Sequence, residues 1–197
     1  GLRRQFEQVS AIDYFPGAQQ KAVAERLESV TRLVRGRLNP NEPSARAAPI
    51  PRLDAAAFQA RRWATRQDLW VDRLASAWLI RRFIDPEADF LWLDHPEDCP
   101  ADALGFDFDG AEFSHVGERV TFETLLASFG LEGDAALARI AAVVHSLDVG
   151  GAAPEAAGFE VLLKGLKVRI DDDDRLLAEA GRLLDDLHLA FSQTNGT

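Results

Sequence analysis

The sequence predicts an α+β protein: a predominantly helical domain with a small β-sheet, preceded by a helical N-terminal appendage. Two observations support this class. Short apolar runs of strand length lie between residues 60 and 108, and helical periodicity dominates from residue 122 onward. A chain of 197 residues is long enough to bury a core of its own, which favours one main domain with an appendage.

The appendage is predicted to be residues 1–37, ending in an amphipathic helix over residues 18–37. Apolar side chains recur there at three-and-four spacing, at Ala22, Val23, Leu27, Val30, Leu33 and Val34. Residues 38–52 contain four prolines and no apolar period, so an extended linker is expected. The main domain then covers residues 53–197.

The main domain is predicted to start with a small sheet around one buried helix, residues 69–84, which is strongly apolar. Three apolar runs have strand length: residues 60–66, 89–93 and 104–108. Glycine or proline separates four later helical segments, near residues 122–129, 134–148, 154–167 and 172–192. A small sheet followed by several helices is the expected chain order.

The formal net charge of −10 is unevenly distributed. Residues 1–52 carry nine Lys or Arg against five Asp or Glu, whereas the remainder carries thirteen against twenty-seven. A body this acidic repels the phosphate backbone of nucleic acids. Contact with DNA is therefore expected only through the basic N-terminal region or a segment preceding it.

Three sequence features bear on cellular location. The single cysteine, Cys99, cannot form an internal disulfide, which fits a reducing compartment. No run approaches the roughly 18 apolar residues of a membrane helix, and the start lacks the apolar stretch of a secretory signal. A cytoplasmic protein without membrane contact is expected. The chain begins with glycine and contains no methionine, so we also expect it to be a piece of a longer protein.

Charged residues interrupt the apolar helix over residues 69–84. Buried charges need partners, and arginines near a helix start can converge with its free backbone amides on an oxyanion. The candidate anion-binding residues are Arg66, Arg73, Arg81 and Arg82. An internal ion-pair network, for example Asp72 with an arginine on another element, is the alternative.

The same helix carries a resemblance to a known family. Residues 63–86, WATRQDLWVDRLASAWLIRRFIDP, resemble the ChrB family of bacterial chromate-resistance proteins. The likeness resumes in GAEFSHVGERVTFETLLASFGL at residues 110–131, in HSLD at 145–148 and in PEAAG at 154–158. Residues 2–17, LRRQFEQVSAIDYFPG, resemble the end of the family's amino-terminal region.

The resemblance implies a cytoplasmic protein that is needed for chromate resistance and acts as a chromate-responsive transcriptional regulator. Chromate or another oxyanion is then the expected small-molecule partner. The sequence leaves a homodimer open as well. No glycine-rich phosphate loop, GxSxG motif or cysteine pair points to a different chemistry.

Residues of metal-ligand type occur where the likeness is also strong. His145 and Asp148 are three residues apart, so their side chains point about 60° apart on one helix face. Histidine combined with carboxylate suits iron, manganese or zinc. The predicted ligands are His115, Glu123, His145 and Asp148, and Glu155 is either a further ligand or a residue that orients His145. Alternatively, His145 is a hydrogen-bonded core histidine, and Glu123 and Asp148 are surface or cap residues.

Three functional hypotheses follow from these features. In the first, residues 53–192 bind chromate or a metal and signal to a DNA-binding region that lies partly outside the chain. In the second, the domain is a metal-dependent enzyme, with iron, manganese or zinc, that acts on chromate or its oxidative by-products. In the third, the helices only form a dimer or dock a partner protein. Elemental analysis of purified protein distinguishes the second hypothesis most directly.

Overall fold

The structure, a computed structural model, describes residues 43–194 together with Ala22, Val23 and Arg26. The chain divides into two compact units, Gly1–Asn41 and Glu42–Thr197. The three described residues of the first unit are helical and fall within the helix predicted over residues 18–37. The remainder of that predicted helix lies outside the described residues.

Three parallel strands form the small sheet of the second unit. Their bounds are Arg62–Arg66 for β1, Asp89–Leu93 for β2 and Leu104–Gly105 for β3. The order is β2-β1-β3, so β1 pairs with both neighbours and is buried along most of its length. The predicted third strand, residues 104–108, is shorter in the structure because the chain turns at Asp107, where φ is +57°.

The apolar helix that follows β1 is buried, as predicted. Helix α1 covers Val71–Leu79 and continues into a π-helical turn, Ile80–Ile84. Asp85 ends this turn, and its buried carboxylate accepts hydrogen bonds from the Ala60 and Arg61 amides and from the Trp63 indole. A buried charge is tolerated here because its oxygens have donors.

Four more helices complete the domain. They are α2 at Thr121–Phe129, α3 at Ala135–Asp148, α4 at Ala156–Arg169 and α5 at Asp173–Thr194. Gly130 ends α2 in the left-handed conformation, and the Asp134 carboxylate caps α3 by accepting hydrogen bonds from two amides. The α+β class is confirmed, and each helix predicted between residues 69 and 192 begins and ends within two residues of its observed bounds when the π-helical turn is counted with α1.

Helix α1 lies at the centre of the domain, in contact with α2, α3 and α5. The apolar core joins these helices to the sheet through large buried side chains such as Trp63, Phe106 and Phe122. This packing brings the first turns of α1 and α2 close to the last turn of α3. None of the helices within residues 43–194 combines the length and the apolar character needed to cross a membrane.

Candidate metal centre

Asp72, in the first turn of α1, has a carboxylate with several hydrogen-bond partners. It is 2% exposed and accepts hydrogen bonds from the Thr121 amide at 2.8 Å and the Phe122 amide at 2.9 Å. These amides open α2, whose first-turn N–H groups have no partner within the helix. Nε2 of His115 lies 3.1 Å from the same carboxylate, and the Ser76 hydroxyl donates to it at 3.4 Å.

His115 lies at the centre of a group of carboxylates. Its Nε2 is 3.1 Å from Asp72 Oδ2, 3.5 Å from Asp148 Oδ2 and 3.6 Å from Asp107 Oδ1. One ligand atom each from Asp72, His115 and Asp148 lies within 4.8 Å of the other two. All three side chains are almost completely buried. One imidazole and two carboxylates at this spacing could hold a metal ion.

The electrostatic state of Asp72 reflects its partners. Burial raises the pKa of this carboxyl, but the hydrogen bond with His115, the charge of His115 and the two α2 amides together lower it below its ordinary value. Asp72 is therefore an anion at neutral pH. A buried anion at the centre of the site is a suitable ligand for a cation.

Glu123 and His145 form a second pair, closer to the surface. Nδ1 of His145 lies 2.8 Å from Glu123 Oε2, and the two side chains are 31% and 25% exposed. The hydrogen bond with Glu123 raises the pKa of His145, against an opposing effect of burial, and the charges of Asp148 and Asp72 raise it further. Glu123 and His145, here named the outer pair, therefore lie within electrostatic reach of Asp72, His115 and Asp148, here named the inner cluster.

Arg66 and Arg73 converge on Asp107, which follows β3. Arg73 Nε lies 3.4 Å and Arg66 Nη2 3.8 Å from Asp107 Oδ2, and Arg66 also donates to the Asp107 carbonyl at 2.9 Å. The Thr121 hydroxyl donates to the other carboxylate oxygen at 2.8 Å. Asp107 is 1% exposed and has a positive φ, a strained conformation for a residue other than glycine. These arginines thus face a carboxylate of the protein itself.

The other predicted site residues lie elsewhere. Arg81 stacks over the Phe90 ring at 4.8 Å, and Arg82 Nε lies 3.4 Å from Asp185 Oδ1. The four arginines therefore do not form one anion site, because Arg81 and Arg82 lie about two turns further along the helix than Arg73. Glu155 accepts a 2.6 Å hydrogen bond from Arg139, which lowers the pKa of Glu155. Its contact is with that arginine.

Comparison with known proteins identifies the family. The family model described as "ChrB, C-terminal domain" matches residues 63–191, well over half of the chain. The chain belongs to the ChrB family. A curated relative, Protein ChrB of Cupriavidus metallidurans (strain ATCC 43123 / DSM 2839 / NBRC 102507 / CH34), is 50% identical over 190 residues. The match covers 96% of this chain and 59% of the relative, and no solved structure matches the chain.

The match confirms the family that the sequence of helix α1 indicated. The matched ChrB domain contains the inner cluster and the neighbouring Asp107. Asp72, Asp107, His115 and Asp148 all lie between residues 63 and 191. The chain spans 59% of the length of this curated relative.

Asp72 and Asp107 are the site residues of this ChrB domain that the sequence did not single out as ligands. An ion pair between Asp72 and an arginine was one alternative that the sequence left open, whereas in the structure Asp72 pairs with His115 and with the α2 amides. The sequence contained part of the information that would have identified Asp107, because this residue follows a strand. Neighbouring parallel strands end at one edge of a sheet, so a residue after β3 meets one at the end of β1. The sequence did not specify that the strands are parallel.

Proposed function

We propose that this ChrB domain binds a divalent transition-metal ion through Asp72, His115 and Asp148. We further propose that it is the sensor part of a chromate-responsive regulatory protein of the cytoplasm. The observation that carries the proposal is the buried cluster in which the three ligand atoms lie within 4.8 Å of one another. The connection with chromate rests on family membership.

Charge balance supports a divalent cation at this position. As metal ligands, the Asp72 and Asp148 carboxylates would supply two negative charges and His115 a neutral imidazole, a total that balances an ion of charge +2 at a buried site. The third carboxylate, Asp107, faces Arg66 and Arg73. Mixed nitrogen and oxygen ligands suit iron, manganese or zinc, and three protein ligands leave coordination positions open for a small molecule.

The outer pair, Glu123 and His145, bears on what the site does with a bound molecule. Both side chains are partly exposed, so a molecule from solvent can approach them beside the metal ligands. This observation favours a second candidate, a metal-dependent enzyme that acts on chromate or its oxidative by-products. In it, the pair would hold a proton next to an open metal position.

In the sensor proposal, the charge distribution assigns DNA contact and ligand binding to different parts of the chain. Residues 53–197 carry thirteen basic and twenty-seven acidic residues, so DNA contact is assigned to the basic N-terminal region. A chromate oxyanion would bind to the domain at an open coordination position of the metal. A homodimer remains compatible with this arrangement.

The first experiment measures metal uptake. Protein freed of metal with a chelator is titrated with Mn²⁺, Fe²⁺ or Zn²⁺, and bound metal is counted by elemental analysis. We expect one ion per chain in the wild type and loss of uptake in His115→Ala and in the size-matched Asp148→Asn. The control is His188→Ala, because His188 also lies 3.1 Å from an aspartate, Asp134, outside the cluster. Its uptake should equal that of the wild type.

Two results would reject the metal site: a wild type that takes up none of the three ions, or full stoichiometry in Asp148→Asn with a native circular dichroism spectrum. Sensor and enzyme are then separated with the metal-loaded protein. If the domain is a sensor, adding chromate should change the affinity with which the full-length relative binds its promoter DNA. An enzyme consumes chromate or superoxide catalytically, and the Glu123→Gln variant does so more slowly.

A further inference from the structure

Residues 43–53, here named the strap, lie extended against the loop that carries His115. The Arg46 amide donates to the His115 carbonyl at 2.9 Å, and the Gly117 amide donates to the Arg46 carbonyl at 2.9 Å. Arg46 and Val116 thereby form a parallel bridge. The backbone of the proposed metal ligand is thus hydrogen-bonded directly to the strap.

Side chains of the strap hold the preceding part of the same loop. The Arg46 guanidinium donates to the Ala111 carbonyl at 3.1 Å and to the Glu112 carbonyl at 3.4 Å. Ser44 donates through its amide to the Asp109 carboxylate at 2.7 Å. The strap therefore contacts the loop from residue 109 to residue 117, between Asp107 and the start of α2.

The C-terminal end of the strap reaches α2. The Leu53 amide donates to the Ser128 carbonyl at 2.7 Å, and Arg52 donates to the Ala127 carbonyl at 2.9 Å. The amides at the opposite end of α2 hold Asp72. Both elements that position the inner cluster, the His115 loop and α2, are therefore in contact with one extended segment.

The strap is held mainly by hydrogen bonds, because most of its side chains are exposed. Segments with many solvent-accessible hydrogen bonds and few buried apolar contacts open at a lower free energy than the core. We therefore expect the strap to open at a lower free energy than the helical core. Its attachment is then an equilibrium that a neighbouring ligand can shift.

We infer that the strap reports occupancy of the metal site to the chain that precedes residue 43. The inference rests on the proposed metal site and names its regulation. A metal bound by His115, Asp72 and Asp148 restricts the His115 loop and so favours the attached strap. By thermodynamic linkage, the attached strap raises the metal affinity by the same factor.

Substitutions at two adjacent positions test this coupling in the full chain. Arg46→Pro removes both the amide donor to His115 and the guanidinium, and proline suits an extended segment. Arg46→Ala removes only the guanidinium. Ala47→Pro is the matched control, since among the described residues no acceptor pairs with the Ala47 amide.

Two readouts are taken with Mn²⁺ and Zn²⁺ as probes. Hydrogen exchange should show slower exchange of the Arg46 and Gly117 amides when the metal is bound. Metal affinity should fall about fivefold or more in Arg46→Pro, less in Arg46→Ala, and by less than about twofold in Ala47→Pro. Circular dichroism checks that the helical core of each variant is intact.

The outcomes separate this inference from the function on which it rests. A wild type that binds metal with unchanged exchange at Gly117, and with equal affinity in Arg46→Pro, overturns the strap and leaves the metal site standing. An equal loss of affinity in Arg46→Pro and Ala47→Pro also overturns it, because the effect would then not follow the hydrogen bond to His115. A wild type that binds no metal rejects the proposed function itself.

Discussion

Helix α1 and its π-helical turn form one continuous helix over residues 71–84, and the two ends of this helix carry similar charged residues in very different surroundings. At the start, Asp72 is 2% exposed and Arg73 has a side chain that is 11% exposed. At the end, Arg81 and Arg82 are exposed, and Arg82 shares an ion pair with Asp185, which is half exposed. One apolar helix therefore presents charged residues to a buried site at one end and to solvent at the other.

The difference shows that surroundings determine what a charged residue contributes. A charge at the buried end has lost its hydration, so removing its partner leaves a costly unpaired group. A charge at the exposed end is rehydrated when its partner is removed, so little is lost. The stretch that matches the ChrB family covers both ends, but chemistry is expected only at the start of the helix.

The largest predicted effect tests this difference at aspartates. Asp72→Ala should lower the free energy of unfolding of the metal-free protein by about 3–5 kcal/mol, because two α2 amides and His115 lose a buried acceptor. It should also abolish metal uptake. Asp185→Ala, at the exposed end, should cost about 1 kcal/mol and leave uptake unchanged. Urea denaturation measures both variants, and equal losses would contradict the comparison.

Acid titration sharpens the same prediction. Because the pKa of Asp72 is lowered in the folded state, its stabilisation is complete above the ordinary value of 3.8 and is lost as pH falls through the folded pKa. The stability difference between the wild type and Asp72→Ala should therefore narrow as the pH falls below about 4. A difference that stayed unchanged as the pH fell well below the ordinary carboxyl range would contradict the lowered pKa of Asp72.

Sequence patterns located the helices well but did not identify the carboxylates of the site. Helix α3, predicted at 134–148, is observed at Ala135–Asp148, because its periodicity, its aspartate cap and the following glycines are local signals. The contact of Asp72 with His115 joins residues 43 positions apart, and that of Asp107 depends on a parallel sheet. Such contacts follow from tertiary packing, which periodicity does not report.

The same reasoning explains the outcome for the metal-type residues. His115 and Asp148 come together in the inner cluster, whereas Glu123 and His145 form the outer pair. Residue types and spacing could identify histidines and carboxylates near the ends of helices. They could not rank these residues by burial, because Glu123 and Thr121 lie in the same turn of α2 and face different surroundings.

A smaller effect is predicted for two arginines at opposite ends of the same helix, Arg73 in α1 and Arg82 in the π-helical turn. Arg73→Ala should cost about 2–3 kcal/mol, since it removes a largely buried partner of Asp107 and a hydrogen bond to the Gln67 carbonyl. Arg82→Ala should cost less than about 1 kcal/mol, because its ion pair with Asp185 is exposed. Metal affinity should not fall in Arg73→Ala, because the lost group is a cation. Urea denaturation and metal titration check these values.

The smallest predicted effect belongs to Arg81, whose guanidinium lies over the Phe90 ring at 4.8 Å. An exposed cation–π contact contributes about 0.5–1 kcal/mol, so Arg81→Ala should lower the free energy of unfolding by that amount. Arg81→Lys keeps a cation and should recover part of the loss. Both variants should bind metal as the wild type does, because the contact lies at the opposite end of α1 from Asp72. Weaker metal binding in Arg81→Ala would show that the exposed end influences the buried site, and the two ends could then no longer be treated as independent.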